Sequence, residues 1–343
     1  MASKIIWFKY AVDKVLRSKL KLKTKYCKQE VLGLEDAATF VKERIESGEP
    51  FMASRFGFFE LAVMRMYEFG KKKKYQTVMD NVYNCAGFFP NDTSLGYKFN
   101  EVMKESIKVC DLLGLSHELC ENYFMNRFMD TDAKAAKDFS VYNICEMDNS
   151  WTTALKGKKV LVVTPFTETV ESQYKNRDKL FINRDAFGGK EATKDEAYLD
   201  TREASEVAND ASYRLPEFEL LTYKSLLTVG DLRDDRFETW FDALDFMTEE
   251  ILKLNFDIAL LGCGAYGMAL AGRIKKAGKQ AIHMGGTTQL VFGIMGRRWD
   301  GSRFGGIDHM DPKVARFYNK YWTYPLEGKP DEANKVEYGP YWK

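Results

Sequence analysis

Short unbroken apolar runs alternate along residues 34 to 300 with stretches whose apolar positions recur every three or four residues. That alternation predicts buried strands separated by amphipathic helices, an α/β chain. The clearest strands are Lys158 to Pro165, with Val160, Leu161, Val162 and Val163 in succession, Asp257 to Leu261, which stops at Gly262, and Gln280 to Met284, which stops at Gly285 and Gly286. Runs this short and this apolar fit strands covered on both faces of a parallel sheet. Phe218 to Tyr223 and the stretch from Pro50 to Arg55 read as two more.

Helical spacing puts Ala38, Phe40, Val41 and Ile45 on one side of Leu34 to Gly48, and Phe241, Leu244, Met247, Ile251 and Leu254 on one side of Trp240 to Leu254. Met268, Ala271, Ile274 and Ala277 mark a helix that opens after Gly264 and is closed by Lys275, Lys276 and Gly278. Tyr97 to Gly114 and Ser116 to Phe128 read as two further helices. Residues 183 to 213 are polar, charged and without period, an excursion with the makings of a lid. The aromatic tail, with Trp322, Tyr324, Tyr338, Tyr341 and Trp342, is expected to wrap the parent domain or a partner subunit of a homo-oligomer. The pattern predicts a Rossmann-like, mostly parallel sheet flanked by helices. At 343 residues, two lobes are expected. The divisions fall at a basic arm (1–32), a first half (33–150), a Rossmann-like second half (151–310) and the tail (311–343).

Charge changes the picture in one place. Lys+Arg and Asp+Glu are 51 and 50, a balance that argues against a general nucleic-acid binder. Residues 1 to 30 are an exception, with lysines crowded around an apolar stripe of Ile5, Ile6, Trp7, Phe8, Val12, Val15 and Leu16. Such an arm could lie on an anionic membrane surface or dock on the protein itself, and a mitochondrial presequence fits less well because serine is sparse. Six cysteines without a C-x-x-C pair and no apolar run of membrane-spanning length point to reduced thiols in a cytoplasmic protein, peripheral to the inner membrane face if the arm binds lipid.

The chemistry is expected at the C-terminal ends of the strands. Gly262, Gly264 and Gly267 spell G-x-G-x-x-G between a strand and a helix, and Gly285, Gly286, Thr287 and Gln289 follow the next strand. Corners of this kind expose backbone N–H groups to a phosphate. The dinucleotide reading lacks its ribose-binding carboxylate, since Gln280 to Gly286 holds no acid. A phosphate-bearing ligand and glycines that serve only close packing both remain open. Arg55, Arg297 and Arg298 are candidate phosphate partners, and Glu60 or His283 a candidate base. Asp130 and Asp132 have the spacing of a metal-binding pair, or of a helix cap.

Ser54 to Glu60, S-R-F-G-x-x-E after a strand, is similar to the S-R-F-G-D-G-E motif of the GT-D-type glycosyltransferases. NCAGFFP (Asn84 to Pro90), LKGKKVLVVTPFTETVESQY (Leu155 to Tyr174), LPEFEL (Leu215 to Leu220) and the stretch from Asp257 to Asp300 resemble a branch of GT-D-like proteins of bacterial surface-polysaccharide biosynthesis. The resemblance implies a GT-D-like fold, a nucleotide-sugar donor bound partly through Gly57, a glycan or lipid-linked acceptor, and Mg²⁺ or Mn²⁺ on a D-x-E pair. Here Phe58 stands where the family has the aspartate, and Glu60 alone of the pair is kept, with Asp130 and Asp132 as weaker substitutes. Two rival readings remain. Leu261 to Gly264 looks like the first motif of S-adenosylmethionine-dependent methyltransferases, and loss of the aspartate could mark a non-catalytic sugar-binding or assembly protein.

Overall fold

The computed structural model describes residues 8, 12, 27–146, 150–181, 215–302, 310–335, 339 and 341–343. Most of the basic arm and the excursion at 183–213 lie outside the described residues, and the membrane and lid expectations lie there with them. In chain order the main elements are β1 (Glu30–Leu32), α1 (Leu34–Ser47), β2 (Phe51–Arg55), α2 (Phe58–Phe69), α3 (Tyr75–Ala86), α4 (Gly96–Ile107), β3 (Leu112–Gly114), α5 (Glu121–Phe128), β4 (Lys134–Ala136), β5 (Lys159–Thr164), α6 (Thr167–Tyr174), β6 (Glu219–Lys224), α7 (Trp240–Leu252), β7 (Ile258–Leu261), α8 (Tyr266–Lys276) and β8 (Gln280–His283).

Local chemistry explains the clearest of these. The Thr239 hydroxyl and Asp242 carboxylate form a reciprocal capping box that opens α7, and Gly48 at φ 72° stops α1 in the left-handed conformation. Every residue of β7 and β8 is buried, as their unbroken apolar runs predict. One expected helix is corrected. Leu112 to Gly114 is a strand, because α4 ends at Ile107 and the apolar triplet beyond it is covered on both faces. Three residues are too few for periodicity to separate strand from helix.

All eight strands run parallel in the order β1-β4-β3-β2-β8-β7-β5-β6. The first half of the chain supplies β1 to β4 and the second half β5 to β8. They join edge to edge where Phe51, Met52 and Ala53 pair with Gln280, Ala281 and Ile282. The two lobes expected from chain length are therefore halves of a single sheet. Each face carries its own core. Met52, Leu161, Val163, Ala259 and Leu261 pack under α2, α3, α4, α5, α7 and α8, while Phe51, Ala53, Val160, Val162, Ile258 and Ile282 pack under α1, α6, Trp151 and the tail residues Phe317 and Trp322.

That layering opens a cleft. Along the sheet the chain leaves β2 and β7 toward the first face and β8 and β5 toward the second. Neighbouring strands thus send their connections apart, and the space beyond their C-terminal ends is left free, as at the switch point of other open parallel sheets. Segment 225–229, after the edge strand β6, closes one side, its Thr228 hydroxyl donating to the Gly87 carbonyl at 2.6 Å. The tail returns to close another. The Trp342 ring meets Phe166 edge-on at 5.0 Å, and the Gln289 amide donates to the Tyr341 carbonyl at 3.1 Å. The six cysteines are unbridged, and no described helix is long and apolar enough to cross a membrane.

Candidate functional site

The cleft is lined by residues from five strand ends and the tail, among them Arg55, Glu60, Ser225, Gln289, Arg298 and Tyr341. Arg55 is the last residue of β2, and Phe56 and Gly57 carry the chain into α2. Glu60 sits at the third position of α2 and folds its carboxylate back over the turn. A Cβ on Gly57 would overlap that carboxylate as it stands, so a side chain there would push the carboxylate aside. The position is that of the acidic partner in a capping box. Burial raises the Glu60 pKa, while its own backbone amide and the Arg55 charge pull the other way. Arg55 is driven toward lower pKa by burial. Glu60 and Tyr341 favour its charged form, and Arg298 opposes it. Its guanidinium lies over the Phe139 ring at 4.7 Å.

Beyond β8 the chain turns at Gly285, where φ is +60°, into the short turn Gly285–Thr287. Two cations meet there. A Cβ on Gly285 would stand 3.2 Å from Arg55 Nη1, and one on Gly286 would stand 3.3 Å from Arg298 Nη1 and 2.6 Å from Tyr341 Cε1. The Arg298 guanidinium also lies over the Tyr341 ring at 5.0 Å. The Thr287 and Thr288 hydroxyls are spent inside the turn, donating to Met284 and Gly285 carbonyls at 2.8 Å. Among the described residues, three cleft-lining polar atoms are buried with no partner: Arg55 Nε, Ser225 Oγ and Gln289 Oε1. A buried orphan costs about 1–3 kcal/mol. Along the cleft these atoms are available to a polar ligand or to water.

The other glycine corner also borders the cleft, through Gly262 and Gly264, and is closely packed. A Cβ on Gly262 would stand 2.6 Å from Thr288 Oγ1, and one on Gly264 would stand 2.7 Å from the Ala86 carbonyl oxygen. That same carbonyl accepts the Ala265 amide at 2.9 Å, and the Gly267 amide donates to Gly264 at 3.1 Å. Gly267 gives room for His283, whose ring a Cβ there would overlap. Gly262, Gly264 and Gly267 let α8, α3 and β8 approach one another, the close-packing use expected of such glycines, while Gly262 and Gly264 still border the cleft. His283 does reach the cleft, with its Nδ1 3.0 Å from the Ser54 hydroxyl. Burial, then the Arg55 charge, pull its pKa down to about 3. An imidazole held neutral so far below its usual range is a weak base.

His283 has a thermodynamic signature. Its folded pKa lies below the ordinary value near 6.5, so between those two values the unfolded chain takes up a proton that the folded chain refuses. Stability must therefore fall as pH drops through that window, by up to ~1.4 kcal/mol per pH unit from this residue. Urea titrations of wild type and His283→Gln should show a shallower acid loss in the variant. Parallel slopes would contradict a neutral, buried His283.

Other expectations resolve by place. Asp130 and Asp132 precede β4 and lie at the N-terminal edge of the parallel sheet, opposite the cleft. Asp130 Oδ1 accepts the Asp132 amide at 3.1 Å in an exposed turn, so these residues neither reach Glu60 nor cap a helix. Arg297 does not line the cleft; its neighbour Arg298 does. Glu146, another possible acidic partner, pairs with Lys313. Thr167 and Thr169 stand where caps for α6 would be expected, yet the start of that helix is held by a tail residue, Glu327, which accepts the Glu168 amide at 2.8 Å and the Thr169 amide at 3.2 Å. Phe88 and Phe89 are buried, the Phe88 ring against Phe99 and Trp240, and serve packing.

A divalent cation, as the resembled family uses, does not fit these residues. Phe58 occupies the aspartate's position and is 56% exposed. Glu60 is turned back onto its own helix start beside the Arg55 cation. Among the described residues no three histidine, cysteine, aspartate or glutamate side chains are grouped to hold a metal.

Sequence reasoning missed Ser225, Thr228 and the tail residues at the cleft. Ser225 comes directly after a predicted strand, a signal that was available. The aromatic tail was expected to wrap the domain, but nothing local placed Tyr341 and Trp342 at the cleft.

A scan against protein-family models finds no match, and a search of curated proteins finds none. Two solved structures are similar. One, described as a selenomethionine-substituted structure of domain of unknown function 1792, is 12% identical with a TM-score of 0.40, covering 91% of this chain and 95% of that one. The other, described as showing that domain of unknown function 1792 has a distinct glycosyltransferase fold, is 12% identical with a TM-score of 0.41, covering 93% and 92%. Likeness at that level carries no argument about activity, which has to come from the cleft.

Proposed function

We propose that this chain transfers a sugar from a nucleotide-sugar donor to a hydroxyl of a polysaccharide or glycolipid precursor. The observation that carries the reading is the convergence of Arg55 and Arg298 on Gly285 and Gly286, with Glu60 in the same cleft. The resemblance of Ser54 to Glu60 and of the later segments to GT-D-type transferases supports it.

The donor diphosphate lies beside the glycine pair, within reach of both guanidiniums. When the bond between the anomeric carbon and the phosphate oxygen breaks, its electron pair goes to the diphosphate, and the two arginines stabilise the growing charge. Glu60 takes the proton of the attacking acceptor hydroxyl. Its raised pKa brings the carboxyl closer to neutral pH, where a general base works best.

Product analysis with UDP-, GDP- and CMP-sugars and lipid-linked or free glycan acceptors tests the reading. Glu60→Gln keeps a capping side chain at the start of α2 but cannot accept the proton. Its kcat/KM should fall by ~10²–10⁴, with the urea midpoint little changed. Undiminished transfer by Glu60→Gln would remove Glu60 from the chemistry, and no product from any donor would remove the transferase.

A further inference from the structure

Resting on that reading, we infer that the leaving diphosphate is neutralised by the Arg55 and Arg298 guanidiniums and not by a divalent cation. The geometry is specific. The two Nη1 atoms flank consecutive glycines, at 3.2 Å and 3.3 Å from where side chains would begin. A phosphate entering the cleft beside this turn therefore has both guanidiniums within reach, with the Tyr341 ring covering one side of Gly286. Planar guanidiniums present paired N–H donors matched to phosphate oxygens, and such charge-assisted bonds are roughly twice as strong as neutral ones. Two positive charges balance most of the charge of a nucleoside diphosphate without further help.

The same arrangement works against a metal. Arg55 is buried, its Nε lacks a partner, and its charge lies close enough to Glu60 to pull that carboxyl toward ionisation. A divalent ion at Glu60 would face that buried cation through a medium that screens it poorly. It would also find Phe58 where a second carboxylate is needed, and Glu60 already folded back over Gly57. An octahedral Mg²⁺ or Mn²⁺ shell with a single carboxylate needs that carboxylate turned toward the phosphates, and here it is folded back onto its own helix start.

Gly286 adds a steric constraint. Tyr341 packs onto it so closely that any side chain there would strike the ring, and the same ring lies beneath Arg298. The tail thus sets the height of the second guanidinium above the main chain, which makes Tyr341 a positioning residue for Arg298.

The test is calorimetric titration of the full chain with UDP, GDP and inorganic pyrophosphate, in excess EDTA and again in excess Mn²⁺. Affinities for each diphosphate should agree within about threefold between the two buffers, since the cation supplies no needed contact. Arg298→Met should weaken binding at least ~10-fold in both, and Arg298→Lys, which keeps the charge but not the fork, should fall between. Wild-type affinity in both variants would overturn the assignment of Arg298. Binding that appears only with Mn²⁺ would overturn the inference and leave the transferase reading standing. Binding of no nucleoside diphosphate in either buffer would overturn both.

Discussion

Arg55→Lys is expected to lower kcat/KM for sugar transfer by ~10²–10³ while the protein stays folded, although the change is nominally conservative. Arg55 meets two demands that lysine cannot. Its flat guanidinium covers the Phe139 ring at 4.7 Å, and the same group delivers Nη1 to the corner at Gly285. An ammonium is a point donor that cannot span both. Burial works against it a second time. The site already depresses the pKa of an arginine, whose charge is the most persistent of any side chain, so a lysine there is driven toward the neutral amine. The measurement pairs transfer rates at saturating acceptor with urea midpoints. A variant that keeps wild-type kcat/KM would show that Arg55 does not meet the transition state.

Gly267→Ala is expected to destabilise the fold by ~3 kcal/mol, at the upper end of what overpacking costs. The sign runs against helix propensity, because alanine inside a helix is favoured over glycine by about 1 kcal/mol. Position decides it. Gly267 lies in the first turn of α8 directly against His283, and that ring is fixed by β8 on one side and by Ser54 on the other. Neither backbone nor ring has an easy direction in which to retreat. The double variant Gly267→Ala with His283→Ala removes the obstacle and should recover much of the loss, a coupling readable in a double-mutant cycle. A Gly267→Ala midpoint equal to or above wild type would show that the ring is loosely held and that the third glycine of the motif has another purpose.

Those two positions show what can be read from the chain alone. The strands at Val160, Ile258 and Gln280 were legible because each is a short apolar run stopped by a turn residue, and two buried faces leave no other use for such a run. Leu112 to Gly114, Glu30 to Leu32 and Lys134 to Ala136 were not, since three residues carry no period and pairing with neighbouring strands decides them. At Gly262, Gly264 and Gly267 the motif alone does not separate ligand contact from close packing: all three sit against neighbouring atoms, and Gly262 and Gly264 also line the cleft. The letters fit a phosphate loop, but whether amides face a ligand or a neighbouring carbonyl depends on α3, whose Ala86 comes from a distant part of the chain. The plainer pair Gly285–Gly286 matches no named pattern and is where the charges meet. Arg55 and Glu60 were legible through their resemblance to a family motif. Choosing Arg298 over Arg297 required knowing which way each side chain leaves the turn.

On the proposed reading, the diphosphate of the donor binds beside Gly285 and Gly286, between Arg55 and Arg298. A crystal structure of the full chain soaked with UDP or GDP in the absence of divalent cations tests it most directly. Phosphate oxygens should lie within hydrogen-bond distance of both guanidiniums and beside the glycine pair, with Glu60 facing the vacant sugar position. A diphosphate seated instead at Gly262 to Gly267, or held with neither arginine in contact, would contradict it.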